Sequence, residues 1–259
     1  MVESLRKGGE GEYDLAGRVA VVAGGAGGIG AATSRRLAGL GASVVIGYHS
    51  GRARAEALAS DLPGPGKHLA LCLPMQDGAA IKAAAETVDR LYGKVHVLVN
   101  SAGVTSAVQH ANLDALDDET FDRILITNVR GPFSTIRAFA PLLRRGDDSI
   151  IINVSSVSAS TGLGSSIAYC ASKAALDTMG MSLARVLGPE TRVIGVSPAA
   201  VATDFVPGRG REAVERQAAS TPLKRVAEPD DVAMAIVAAI THLRLTTGSV
   251  IVTDSGRHL

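Results

Sequence analysis

Aromatic residues make up only 3% of this chain, and 26 basic residues stand against 25 acidic ones. With neither a stacking platform nor an excess positive field, no nucleic-acid partner is expected. The two cysteines, Cys72 and Cys170, form no CxxC pair, and the six histidines show no ligand spacing. Neither a disulfide framework nor a metal site is indicated, and a reducing compartment is expected. The longest apolar run, VAMAIVAAI (232–240), is far below membrane-spanning length. The N-terminal MVESLRKGGEGEYD is polar and has no apolar h-region. A soluble, cytoplasmic protein with no membrane partner is the expectation.

What the chain does have is alternation. Short β-branched runs recur at 18–23 (RVAVVA), 43–47 (SVVIG), 68–73 (HLALCL), 95–100 (VHVLVN), 149–154 (SIIINV), 192–197 (RVIGVS) and 249–253 (SVIVT), with Ala-rich helical stretches between them. This order predicts a doubly wound α/β fold, a seven-stranded parallel sheet with helices on both faces. The strands are apolar at most positions, as expected where both faces are covered. DGAAIKAAAETVDRLYG has a capping Asp77 and a stop at Gly93, and LPGPG (62–66) marks a turn. The 259 residues suit one domain, with 1–14 as a loose tail and 15–259 as a single dinucleotide-binding catalytic domain.

The first strand runs into AGGAGGIG (23–30) and then into a helix. Glycines at such a junction remove side chains, so that backbone N–H groups and the helix N-terminus can approach a pyrophosphate. A second local pattern is Tyr169 with Lys173 four places on, in AYCASK. In a helix these two lie on one face, and a nearby ammonium favours the phenolate of a tyrosine whose free pKa is about 10.

The glycine spacing, Gly24, three residues, Gly28, one residue, Gly30, resembles the T-G-x-x-x-G-x-G of the short-chain dehydrogenase/reductase family. NSAG (100–103), TNVRG (127–131), INVSS (152–156), Tyr169 thirteen residues beyond Ser156, SPAAVAT (197–203) and TGSVIVTDSG (247–256) resemble further family motifs in the same order. The likeness covers about residues 15–256 and is greatest in layout to the 3-oxoacyl-carrier-protein reductase branch. It implies Tyr169 as general acid in reduction and general base in the reverse direction, and Ser156 as hydrogen-bond donor to the substrate oxygen. Asn128 would hold a water that relays protons through Lys173, and Lys173 would also bind the nicotinamide ribose. The cofactor would further meet Gly24, Gly28, Ile29, Gly30, Asn100, Ala102, Gly103, Val201 and Thr203.

The pattern is broken in places. Ala23 replaces the first threonine, Ser101 the second asparagine of N-N-A-G, and Ala199 the usual glycine after proline. Pro74 stands where the family commonly has an adenine-binding aspartate, which leaves the Met75 backbone amide for adenine. His96 takes the place of another aspartate and reads as structural.

Tyr48 occupies the end of the second strand, where enzymes that prefer NAD usually carry an acid. His49, Ser50 and Arg52 follow, and no acid appears until Glu56. These donors suit a 2′-phosphate, so NADP(H) is the preferred cofactor, with NAD(H) as the alternative; Gly27 before Gly28 lacks the basic residue that is the family's other NADP signal. The expected activity is reduction of a ketone or 3-oxoacyl group, on a small-molecule substrate either free or carrier- or CoA-linked. An NAD-dependent polyol or sugar dehydrogenase and a non-catalytic dinucleotide sensor are the alternatives. The segment 204–220, with its GRGR, falls at the family's substrate loop and reads as a solvated loop, its positive charge suiting an anionic or phosphopantetheine-linked substrate as the alternative. The helix around 168–187 is apolar over more than one face, and together with the family's habit this predicts a homotetramer, with a dimer as the alternative.

Overall fold

The computed structural model describes residues 14–259. The expected tail, 1–14, therefore lies outside the described residues except for Asp14, whose carboxylate accepts from the Ala16 N–H at 2.7 Å. In chain order the elements are β1 (Val19–Ala23), α1 (Gly28–Gly39), β2 (Ser43–Tyr48), α2 (Arg52–Asp61), β3 (Leu69–Cys72), α3 (Gly78–Tyr92) and β4 (Val97–Asn100). Then come α4 (Asp118–Leu125), a π-helical turn (Ile126–Arg130), α5 (Gly131–Arg144), β5 (Ser149–Val154) and the short α6 (Ser158–Thr161). The chain closes with α7 (Ile167–Leu187), β6 (Thr191–Pro198), α8 (Arg211–Ala219), α9 (Pro229–Thr241) and β7 (Ser249–Thr253).

All seven strands pair in parallel, in the order β3-β2-β1-β4-β5-β6-β7. The winding direction reverses between β1 and β4, and such a switch opens a crevice at the carboxyl ends of the strands. Register places Ala23 opposite Asn100, and Asn100 opposite Asn153, so the three strands reach the crevice together.

Side-chain alternation along each strand feeds two apolar layers. On one face Val22, Ile46, Val99 and Ile152 pack with Leu37 of α1 and Ile236 of α9. On the other, Val21, Val45, Leu98 and Ile151 pack with Val88 of α3, Phe139 of α5 and Leu187 of α7. Each such side chain contributes about 1.5–3 kcal/mol on burial, so the strand ends are held by a dense support.

The helix boundaries have local causes. Asp77 caps α3 by accepting from the Ala79 and Ala80 N–H groups at 2.9 and 3.0 Å, and Gly93 ends it at φ 73°. Ser166 caps α7 by accepting from the Tyr169 N–H at 3.3 Å, which fixes the turn that carries the tyrosine. His96 Nδ1 accepts from the Val19 N–H at 2.9 Å, and burial, with Arg18 and Lys94 nearby, lowers its pKa to about 4. The ring stays neutral and ties β1 to the start of β4. Among the described residues no helix is long and apolar enough to cross a membrane.

Candidate active site

The glycine-rich turn is shaped by close backbone approach. Gly24 has φ +72°, and a Cβ there would lie 2.8 Å from the backbone of Ala102. A Cβ on Gly28 would meet Thr203 Cγ2 at 2.7 Å, and one on Gly30 would meet the Gly24 carbonyl oxygen at 2.2 Å. Each glycine thus permits a different contact: with the loop after β4, with the loop after β6, and with the turn itself. No side chain caps α1 at Gly27, and its first turn holds no acidic residue. A helix start of this kind, reached by bare backbone, fits a dinucleotide pyrophosphate.

A cavity of about 1330 Å³ runs from this turn along the strand ends. Its wall includes Gly24, Gly28, Ile29, Tyr48, His49 and Ser50 at one end, and Ala102, Gly103, Val201 and Thr203 along its length. Ser156, Tyr169 and Lys173 line it as well. Four expected cofactor contacts are not part of that wall. Gly30 is a packing position beneath the turn. Asn100 is buried, its amide donating to Asn153 Oδ1 at 2.9 Å. Met75 is buried against Gly131 and Thr135. Arg52 is exposed and pairs with Glu56 at 2.8 Å.

Arg54, which the sequence reading passed over, lines the cavity instead, its guanidinium close over Gly51. Two residues apart on a helix means nearly opposite faces, so only one of these arginines can turn inward. Spacing alone does not say which. Phe205 is a second missed residue: its ring stands 5.8 Å from that of Tyr169, tilted by 56°.

Asn128 lies in the π-helical turn, a feature often found at functional sites. Its Oδ1 accepts from the Val104 N–H at 2.8 Å, and its amide donates to the Val104 carbonyl at 2.9 Å and to Ser172 Oγ at 3.0 Å. The side chain is committed to pinning the loop after β4 against α7.

Tyr169 and Lys173 do share a face of α7, with Nζ 5.6 Å from the centre of the phenol ring. Nζ donates to the carbonyl of Val154, the last residue of β5, at 2.8 Å. The expected effect of the ammonium on the phenol is overruled by burial, which pushes Tyr169 up to about 12. The Ser156 hydroxyl and the Arg209 charge offset that only in part. Burial also lowers Lys173 to about 8 while Asp177, one turn on, draws it back up. Desolvation acts on both members of the pair and disfavours whichever form is charged.

Lys173 therefore makes stability depend on pH. The unfolded lysine keeps its proton to about 10.5 and the folded one loses it near 8, so the unfolded state binds more protons between these values and stability rises with pH there. Lys173→Met lacks this slope. Thermal unfolding from pH 7 to 10.5 should show wild type gaining on the variant by on the order of a few kcal/mol above pH 8. A parallel pair of curves would show that the ammonium is not desolvated.

A family profile described as Enoyl-(Acyl carrier protein) reductase matches residues 24–258. The chain is 35% identical over 243 residues to the granaticin polyketide synthase putative ketoacyl reductase 2 of Streptomyces violaceoruber, covering 93% of this chain and 96% of that one. Among solved structures, a short-chain dehydrogenase of Burkholderia cenocepacia in complex with NADP superposes with a TM-score of 0.87 at 32% identity, covering 95% and 99% of the two chains. The 3-ketoacyl-(acyl-carrier-protein) reductase of Brucella melitensis complexed with NADH gives 0.86 at 30% identity, covering 95% and 100%. With this sheet order, glycine turn and serine–tyrosine–lysine grouping, the chain belongs to the short-chain dehydrogenase/reductase family of nicotinamide-dependent oxidoreductases.

Proposed function

We propose that the protein reduces a ketone or 3-oxoacyl group to a secondary alcohol, with NADP(H) preferred over NAD(H). The observation that carries this reading is the meeting of Ser156, Tyr169 and Lys173 on the wall of the cavity that begins at the glycine turn. When bound, the nicotinamide supplies the hydride. In this reading the Ser156 hydroxyl turns from Ser158 Oγ, to which it donates at 3.1 Å, to the carbonyl oxygen, where negative charge develops. Tyr169, with its pKa near 12, holds its proton at neutral pH and gives it up only to a strongly basic oxygen, which suits the reductive direction. Lys173, hydrogen-bonded to Val154, keeps a positive charge beside the phenol below its pKa of about 8. Because both amide N–H groups of Asn128 go to Val104 and Ser172, a water relaying protons here is held at an acceptor oxygen of this residue.

Tyr169→Phe should lower turnover at least about a hundredfold, the scale of a lost general acid, while cofactor affinity changes only a few-fold. Near-normal turnover with a panel of ketones would sink the mechanism.

For the cofactor, Tyr48 at the end of β2 offers no carboxylate to repel a 2′-phosphate, and Arg54 supplies a cation on the same cavity wall. Tyr48→Asp should shift kcat/KM toward NADH by about tenfold or more through like-charge repulsion. Arg54→Ala should weaken NADPH selectively. Arg52→Ala, which breaks the surface pair with Glu56, should do so far less. A wild type that prefers NADH tenfold would end this reading.

We further propose a homotetramer. α7 exposes Met181 and Val186, α5 exposes Phe133, and the edge strand β7 exposes Val250 and Val252. Light scattering at micromolar concentration should give about four times the 26.5 kDa chain mass; a monomer would refute the assembly.

A further inference from the structure

The loop after β6 crosses the cavity in three steps. Thr203 lies against Gly28 of the cofactor turn, Phe205 against the Tyr169 ring, and Arg209 follows Gly208, which turns the chain at φ +75°. Arg209 lines the cavity and is close enough to the phenol for its charge to act on it.

Its neighbours in sequence show what is unusual about it. Arg211 pairs at the surface with Glu215 at 3.0 Å and Glu228 at 2.8 Å, and Arg216 with Glu212 at 3.8 Å. Among the described residues the Arg209 side chain makes a single hydrogen bond, from Nη2 to the Val201 carbonyl at 3.3 Å, and its Nε is buried without a partner. Among the described residues it has no carboxylate partner. A guanidinium does not shed its proton in a protein, so the charge stays, half-buried, and among the described residues only the Val201 carbonyl offsets its desolvation.

A second polar atom on the same wall is in the same condition. His110 Nε2 is buried with no partner. Its segment is anchored to the loop before α7 by the Val108 N–H to Ser165 carbonyl bond of 2.8 Å and by the Thr105–Ser165 hydroxyl contact of 2.5 Å. Two buried polar positions without partners thus lie on the wall of one cavity, and the charge of Arg209 reaches the phenol.

Resting on the carbonyl-reductase reading above, we infer that the substrate is an oxo acid whose carboxylate is bound by Arg209 through its free N–H groups, with His110 on the same wall as a further polar contact. A planar guanidinium with open N–H groups matches a carboxylate, and the partly desolvated setting strengthens the pair. The contact also sets the direction of the carbonyl relative to Tyr169, so it selects among carbonyl compounds.

The test compares short oxo acids with their methyl esters as substrates of the cofactor-loaded enzyme, in wild type, Arg209→Gln and Arg209→Lys. The readout is the acid-to-ester ratio of kcat/KM, which cancels any general effect of Arg209 on the phenol. Wild type should favour the acid at least about tenfold, chiefly through KM. Arg209→Gln should bring the ratio near one, and Arg209→Lys should restore part of it. Calorimetry with a saturated carboxylic acid, an unreactive mimic, should show binding to the wild-type cofactor complex and loss of it in Arg209→Gln. An ester or neutral thioester preferred by wild type, or a ratio unchanged in Arg209→Gln, overturns the inference while leaving the reductase reading intact. An NADPH affinity that falls in Arg209→Gln with an unchanged ratio overturns it as well, by placing the arginine on the cofactor. No turnover of any carbonyl compound, acid or ester, rejects both.

Discussion

An ammonium and a phenol sit side by side on the cavity wall, the lysine buried and the tyrosine half-buried, and much of the site's architecture answers the cost of that arrangement. Burial raises Tyr169 to about 12 and lowers Lys173 to about 8, opposite shifts with one cause. Each is offset by specific neighbours. Val154 at the end of β5 takes the lysine's hydrogen bond, Asp177 one turn along α7 offers the opposite charge, and Ser156 and Arg209 bear on the phenol. These groups come from β5, the loops beyond β5 and β6, and α7, so strand register and helix docking both bear on the chemistry.

The dinucleotide end of the cavity depends on another constraint, the absence of side chains. Gly24 and Gly28 let the turn touch Ala102 and Thr203, and Gly30 lets α1 start directly under Gly24. Three loops that leave three different strands converge there because β1 lies beside β4 at the reversal of the sheet. The Ser101 N–H donates to the Ala23 carbonyl at 3.1 Å, which extends the β1–β4 pairing into the loop itself. A substitution such as Ala23 for threonine leaves that backbone contact in place, since it needs no side chain.

The same loop after β6 joins the glycine turn to the tyrosine. Thr203 meets the turn, Phe205 meets the tyrosine, and Arg209 brings to the cavity wall a charge with no carboxylate partner among the described residues. In sequence this segment reads as a solvated loop rich in glycine and arginine. Its three roles differ because the chain folds back across the cavity, bringing residues a few places apart to different surfaces.

The alternation of apolar runs and helical stretches was sufficient to determine the doubly wound parallel sheet, because period-two and period-3.6 patterns are local and the layers they must bury are few. Strand limits fell within about two residues of the runs, and Asp77 and Gly93 marked the ends of α3 because caps are chemistry between near neighbours. The tyrosine–lysine face was legible for the same reason. What folding alone decided is what depends on distant parts of the chain. Arg54 rather than Arg52 lines the cavity, Met75 and Asn100 sink beneath its wall, and the Asn128 amide is spent on Val104. The balance of charge on Tyr169 also escaped the sequence, since an i,i+4 spacing states that the ammonium is near but not how much water the rest of the protein has removed from both groups.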